Sequence, residues 1–269
     1  MSIRQTCGRK RFLQGRGEIF SRLPQRRFRV GPMRFTAPLL ALLMTSPLPA
    51  AELLIPGKCR QAVVVIAPSW DAPRATLQRW ARESDTERWA PVGRAVPVMI
   101  GERGLGWGLG SHRFAPDEGP LKTEGDRRAP AGIFALTGAF GKGARAVGKL
   151  PWQPISPTLE AIDDPKSRWY NRIVDRARIN APDWRSSERM ATIPDYALGI
   201  IVAHNPQHRP GAGSCIFIHL WLGHRAGTAG CTVLGEGDLI EMLRWLDPAR
   251  EPVLVQLPRA VAARDLRGF

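Results

Sequence analysis

The chain has 269 residues, 43% of them hydrophobic, with 39 Lys and Arg against 24 Asp and Glu. That is ample apolar content for one large domain or two modest ones, and no uninterrupted run nears the roughly 18 apolar residues of a membrane span. Gly 27 and Pro 24 argue against a helical bundle and for many turns and short strands.

The first fifty residues stand apart. Arg4, Arg9, Lys10, Arg11, Arg16, Arg22, Arg26, Arg27 and Arg29 face only Glu18 before Pro32. An apolar stretch from Ala37 to Met44 follows, then the small-residue end Pro47-Leu48-Pro49-Ala50-Ala51. A basic segment, a short apolar segment and an Ala-terminated end read as a secretory signal, cleaved after Ala50 or Ala51. An apolar first helix of the mature fold is the competing reading, and Met33 is a second candidate start. The expected division is 1–50 for extension and signal and 51–269 for one domain, exported to the periplasm or cell envelope, with no integral membrane span once the signal is removed.

Export changes the charge balance. Ten basic side chains and one acidic one precede residue 35, which leaves 29 against 23, a net charge of about +6 rather than +15. A modest positive charge suits work near an anionic polymer. With no zinc-finger spacing and no sustained basic helix, nucleic acid is not an expected partner. Cys7 falls in the presequence, so Cys59, Cys215 and Cys231 remain. An odd number in an exported protein leaves at least one thiol free or paired between chains. A Cys59–Cys215 bridge is expected, with Cys231 left over; without it that distinction is lost.

In chain order, Gln61–Ala67 is a β-branched run ended by Pro68, a buried strand. Val96–Ile100 reads as another. The Gly-rich piece from Gly104 to Gly110 has no helix after it, so it is a poor phosphate loop and a better loop for bringing Trp107 to a groove. Ile133–Leu136 is a short strand, and Asp163 to Arg189 reads as long loops or short helices. Leu198–His204 and Ser214–Trp221 are strands. In the second, alternation puts Cys215, Phe217, His219 and Trp221 on one face and Ile216, Ile218 and Leu220 on the other. Asp238 to Leu246 is the clearest helix, with Leu239, Leu243 and Leu246 on one stripe and Asp247-Pro248 to stop it. Val253–Leu257 is a last strand. A mainly β domain with a few helical inserts follows, one domain without repeats.

The chemically informative segment runs from His219, at a strand end, through a Gly-rich excursion to Gly230-Cys231-Thr232. Cysteine attacks as thiolate, and a nearby imidazole either takes its proton or pairs with the anion to lower its pKa. Gly227 and Gly230 permit a tight or positive-φ backbone that aims N–H groups at one point, where they would stabilise an oxyanion. A core cysteine and a satisfied strand histidine are the bland alternative. His204 either lines the site or merely ends its strand, and His224 reads as a solvated loop residue. Zinc held by His204, His219, His224 and Cys231 is disfavoured, because no close ligand pair of the His-Glu-x-x-His or Cys-x-x-Cys kind is present. No metal and no cofactor is expected. Asp126 and Asn171 fit either supporting hydrogen bonds or turns.

The segment resembles the L,D-transpeptidase catalytic domain (YkuD-like), in the branch with Ser-Cys-Ile-Phe-Ile-His before Thr-Ala-Gly-Cys-Thr. Glu124–Phe134, Trp169-Tyr170-Asn171-Arg172, Gly106-Trp107-Gly108 and the final helix and strand extend the likeness over most of residues 59–257. The resemblance implies a YkuD-like β-sandwich in which Cys231 is the acylated nucleophile, His219 its base, and Gly230 with the Cys231 amide the oxyanion region. Many members carry an Arg soon after the cysteine; here Thr232-Val233 follows. Arg225 or Arg172 would supply a substrate-carboxylate contact on charge complementarity alone, with His204 and Trp107 as further substrate-binding candidates. The implied reaction is acyl transfer from peptidoglycan stem peptides through a Cys231 thioester to an amine. The alternatives are an L,D-carboxypeptidase or amidase using water, and a wall-binding module whose cysteine has no catalytic task.

Overall fold

The computed structural model describes residues 55–112, 118–223, 226–266 and 269. The expected signal over 1–50 and the presequence Cys7 lie outside the described residues, as do His224 and Arg225. No described helix is long and apolar enough to cross a membrane.

Strands dominate, as their β-branched and alternating sequences require. They are β1 (Gln61–Ala67), β2 (Arg74–Ala81), β3 (Ala90–Met99), β4 (Leu105–Trp107), β5 (Ala129–Gly141), β6 (Trp152–Pro154), β7 (Leu159–Ala161), β8 (Ile173–Asp175), β9 (Glu188–Arg189), β10 (Leu198–Val202), β11 (Phe217–Leu220), β12 (Thr232–Leu234) and β13 (Val253–Pro258). Two α-helices, α1 (Glu236–Trp245) and α2 (Arg259–Asp265), and four short 3-10 helices complete the described set. Of these, β7, β8 and β9 form a separate three-stranded sheet, and the rest one ten-stranded mixed sheet.

The large sheet closes on itself. Pairing runs β10–β11–β12–β3–β2–β1–β13–β5, and β5 pairs again with β10 through registers such as Ile200↔Ala139. The two layers expected of a sandwich are thus joined edge to edge. Closure is possible because β5 is thirteen residues long, so its first half meets β13 and its second half meets β10. The main core cluster built on this sheet includes Val63, Val65, Ile133, Phe134, Ile200, Ile218, Leu254 and Leu257, all fully buried. Leu239 and Leu243 of α1 and Leu246, which caps it, pack in that core, the stripe read from the sequence. A second apolar cluster holds Phe140, Leu159, Met190, Tyr196, Cys215, Phe217 and Cys231. It joins the small sheet to the exit face of β11.

The expected disulfide is absent. Cys59 and Cys215 are both free thiols, as is Cys231. Cys59 belongs to the first core cluster, beside Arg82, whereas Cys215 belongs to the second and donates its thiol hydrogen to the Ile162 carbonyl. The stretch 163–189 yields the short strands β8 and β9 and one 3-10 turn at Arg176–Arg178.

The closed core sets a stability expectation. Phe134→Ala removes a ring with no exposed surface and should cost about 3–5 kcal/mol in urea unfolding, whereas Leu121→Ala, at a side chain 63% exposed, should stay within about 0.5 kcal/mol.

Candidate functional site

The site is built on the parallel pair β11–β12. Their register aligns His219 with Val233 and Ile218 with Thr232. Paired residues share a face and alternate residues return to it, so Phe217, His219, Cys231 and Val233 all face the same way. The imidazole and the thiol are therefore diagonal neighbours on one face, fixed by backbone pairing. The predicted alternation along β11 holds: Ile216, Ile218 and Leu220 enter the main core, while Cys215 and Phe217 enter the second cluster. The Phe217 N–H donates to Cys231 Sγ at 3.3 Å, anchoring the sulfur to β11.

His219 has a defined tautomer. Its Nδ1–H donates to the Leu220 carbonyl at 3.0 Å, since a carbonyl can only accept. That leaves the Nε2 lone pair as the ring's basic atom. Tyr196 stands edge-on to the imidazole, centroids 4.9 Å apart, and also edge-on to Phe217. Its hydroxyl donates to Glu188 Oε2 at 2.6 Å. Burial disfavours charge on both central groups: it pushes the Cys231 thiol up to about 12, with Glu188 adding to the rise, and lowers His219 to about 4. Resting thiol and resting imidazole are both neutral at pH 7.

The chain reaches Cys231 along a path clamped on both sides. Thr228 N–H donates to Ile100 O at 3.0 Å, and its own carbonyl accepts from Glu102 N–H at 2.9 Å. Thr228 Oγ1 donates to the Cys231 carbonyl at 2.6 Å and accepts from Gly230 N–H at 3.1 Å. Neither Gly227 nor Gly230 has positive φ, so the expectation of a left-handed turn there is corrected. Space is the reason for glycine instead: a Cβ at 227 would lie 2.5 Å from Glu102 Cα, and one at 230 would lie 3.1 Å from Arg128 O. Beneath, the Glu124–Phe134 segment folds round a buried ion pair. Asp126 accepts from Lys122 Nζ at 2.6 Å and from the amides of Thr123 and Arg128.

His219 and Cys231 open on a cavity of about 310 Å³, walled also by Met99, Glu188, Tyr196, Trp221 and Thr228. A buried thiol beside a neutral imidazole, at the wall of a pocket, is an arrangement able to carry nucleophilic chemistry. Residues 71–255 match the family model of the L,D-transpeptidase catalytic domain, YkuD. The chain belongs to that family. No curated protein and no solved structure matches it.

Within this L,D-transpeptidase-family domain, the residues singled out by sequence separate into two groups. Cys231 and His219 line one cavity, and Gly230 immediately precedes Cys231 in the clamped loop. His204 does not join them. It is 2% exposed, receives Leu109 N–H on Nδ1, and donates from Nε2 to Ala212 O, so both ring nitrogens are engaged in the scaffold. Together with Arg172, it lines a second cavity, also about 310 Å³, with His208, Ile201 and Cys215. Trp107 lines neither of these two cavities. It is buried against Trp70, with ring centroids 5.1 Å apart, and its indole N–H donates to Glu118 O. Arg225 lies outside the described residues. Asn171 takes a supporting role: its amide donates to the carbonyls of His204 and Asn205, and its oxygen accepts from Cys215 N–H. Glu188, Tyr196 and Thr228 were not singled out from the sequence. Glu188 sits in a polar stretch without periodicity, and Tyr196 and Thr228 lie in a turn and a loop, so no local pattern marks any of them. Among the described residues no group of three His, Cys, Asp or Glu is disposed to hold a metal ion.

Two pH dependences follow from these neutral groups. If the pair rests as thiol and imidazole, alkylation of Cys231 by iodoacetamide should keep rising with pH beyond 9; a plateau between pH 5 and 8 would indicate a preformed ion pair instead. Stability also has a signed window. His204 and His219 titrate near 4 when folded against 6.5 when unfolded, so the unfolded chain binds more protons between those values. Stability from these two groups is complete above pH 6.5 and falls as pH drops toward 4. Glu188, raised to about 6 from 4.5, acts in the opposite sense, as one group against two. The melting temperature should be lower at pH 5 than at pH 7.5.

Proposed function

We propose that this chain is an L,D-transpeptidase that forms a thioester on Cys231 with the acyl part of a peptidoglycan stem peptide and passes it to an amine. The observation that carries the reading is that the β11–β12 register puts His219 and Cys231 on one side, where both wall the same cavity. Membership in a family that acts on peptidoglycan supplies the substrate class.

Each step uses the neutral pair. As Cys231 Sγ approaches the carbonyl carbon of the L,D bond, its proton passes to His219 Nε2, the lone pair left open by the Nδ1–H bond to Leu220 O. The S–C bond forms and the carbonyl oxygen becomes an oxyanion. Gly230 N–H is engaged by Thr228 Oγ1, so the Cys231 amide is the donor assigned to that oxyanion. Gly230 contributes by letting the loop approach closely. Collapse breaks the C–N bond, and the departing amine takes the proton from the imidazolium. An acceptor amine, in this reading a diaminopimelate side chain, then gives a proton to Nε2 and attacks the thioester. Collapse breaks the C–S bond and returns the proton to sulfur. In this reading the protein works in the periplasm or cell envelope, beside its polymer.

Exposure of the purified protein to a carbapenem should give a covalent adduct on Cys231 by mass spectrometry, absent in Cys231→Ser. An unmodified wild-type protein would overturn the assignment. With disaccharide-tetrapeptides, cross-linked dimers mean amine transfer, whereas shortened monomers alone mean that water is the acceptor. His219→Ala should lower the acylation rate about 10²–10⁴-fold with the fold retained.

A further inference from the structure

One charged side chain stands behind the nucleophile's loop, and the thiol–imidazole pair makes no use of it. Lys122 is only 6% exposed, an uncommon place for an ammonium. Its Nζ donates to Asp126 Oδ1 at 2.6 Å and to the Thr123 carbonyl at 2.7 Å. The stem that carries it passes a pair of glycines. A Cβ at Gly213 would lie 3.0 Å from Lys122 Cε, and one at Gly230 would lie 3.8 Å from the same carbon. Nζ follows directly on Cε, so the charge lies close to the Gly230–Cys231 peptide. Asp126 is tied to the same place: it also accepts from Arg128 N–H at 2.9 Å, and Arg128 O lies 3.1 Å from the Cβ position of Gly230. A buried ion pair adds little stability over an apolar pair of like volume, so its presence here points to another use.

We propose that Lys122 is a positioning residue for acyl transfer: held in place by Asp126, its ammonium supports the negative charge that passes from the Cys231 sulfur to the substrate oxygen beside the Gly230–Cys231 peptide. This rests on the acyl-transfer reading above. The proton accounting is unchanged. The thiol proton goes to His219 Nε2 and from there to the departing amine, and Lys122 exchanges none. Its charge is fixed before the reaction begins, so no reorganisation is needed when the anion forms.

The groups that bear on Cys231 come from several elements. Glu188, on β9, opposes the thiolate, whereas Lys122, the Phe217 N–H and the Tyr196 hydroxyl favour it. Burial keeps Cys215 and His219 uncharged at rest, and Asp195 bears on His219. Around the loop, Glu102 is paired with Arg127, and Arg128 with Asp71. Lys122 is not among the residues that wall the cavity. It therefore acts through the Gly230–Cys231 loop and not by touching substrate.

The test follows iodoacetamide labelling of Cys231 from about pH 7 to about pH 9.5 in wild type, Lys122→Met and Asp126→Asn. Lys122→Met keeps most of the stem's bulk and removes its charge. It should label about three- to tenfold more slowly at every pH, with the whole profile displaced upward, and its acylation by a carbapenem should slow at least about tenfold. Asp126→Asn breaks the same ion pair but leaves the ammonium uncancelled, so it should label at least as fast as wild type. Slower labelling in both variants marks a merely structural pair and overturns the proposal. So does labelling of Lys122→Met at the wild-type rate. Where Lys122→Met does not fold, Asp126→Asn decides alone: slower labelling than wild type overturns the proposal, and equal or faster labelling upholds it. A wild-type protein that forms no carbapenem adduct overturns the acyl-transfer reading instead, whereas the labelling comparison needs no substrate and judges Lys122 separately.

Discussion

The site depends on one constraint, the parallel pairing of β11 with β12. Because the register is set by backbone hydrogen bonds, His219 and Cys231 need no mutual contact to stay on the same face. The neighbouring bonds refine the arrangement without creating it: Phe217 N–H on the sulfur, Leu220 O on the imidazole, Thr228 on the Cys231 carbonyl. A slip of one residue would turn either side chain into the main core and end the pairing. Clamping of Thr228 between Ile100 and Glu102 makes such a slip costly, since the loop cannot shorten or lengthen without breaking two backbone bonds.

Burial then dictates the kind of chemistry available. A thiolate–imidazolium pair would place two charges where solvent is scarce, and the surroundings offer them little compensation. Both groups are neutral at rest, so a thiolate here would have to form by proton transfer rather than stand preformed. Lys122 favours the anion, but it is already committed to Asp126. Glu188 works against the anion. The free site is thus tuned for restraint.

Much of this was legible in the sequence, and the exceptions have physical causes. The runs at 61–67 and 253–257 declare themselves because strands buried on both faces read as continuous β-branched segments. Alternation along Ser214–Trp221 sorts the two faces of β11 correctly because only one of them enters the closed core. By contrast β2 is masked by Arg79, a charged residue at an inward position, which is satisfied by Glu241 and by the face of Trp245. The Gly-rich piece around Trp107 misleads because its glycines serve packing: Cβ atoms at 108 and 110 would strike Pro130 and Phe134. His204 lies two residues past the end of β10, and its ring ties two loops together, a role set by residues distant in sequence. The cavity's other walls come from segments brought together by the small sheet, and no local pattern announces them.

The closed strand circuit has a consequence for how the molecule is made. Its first strand, β1, lies parallel to the last, β13, with Ala62 beside Val253. Nearly the whole domain must therefore exist before the circuit can shut, and contacts so distant along the chain are associated with slow folding. Until β13 arrives, β1 and β5 each expose an unpaired edge, the kind of surface that other chains can capture. A nascent or truncated chain ending before Val253 is left an open ribbon, however complete its His219–Cys231 segment is.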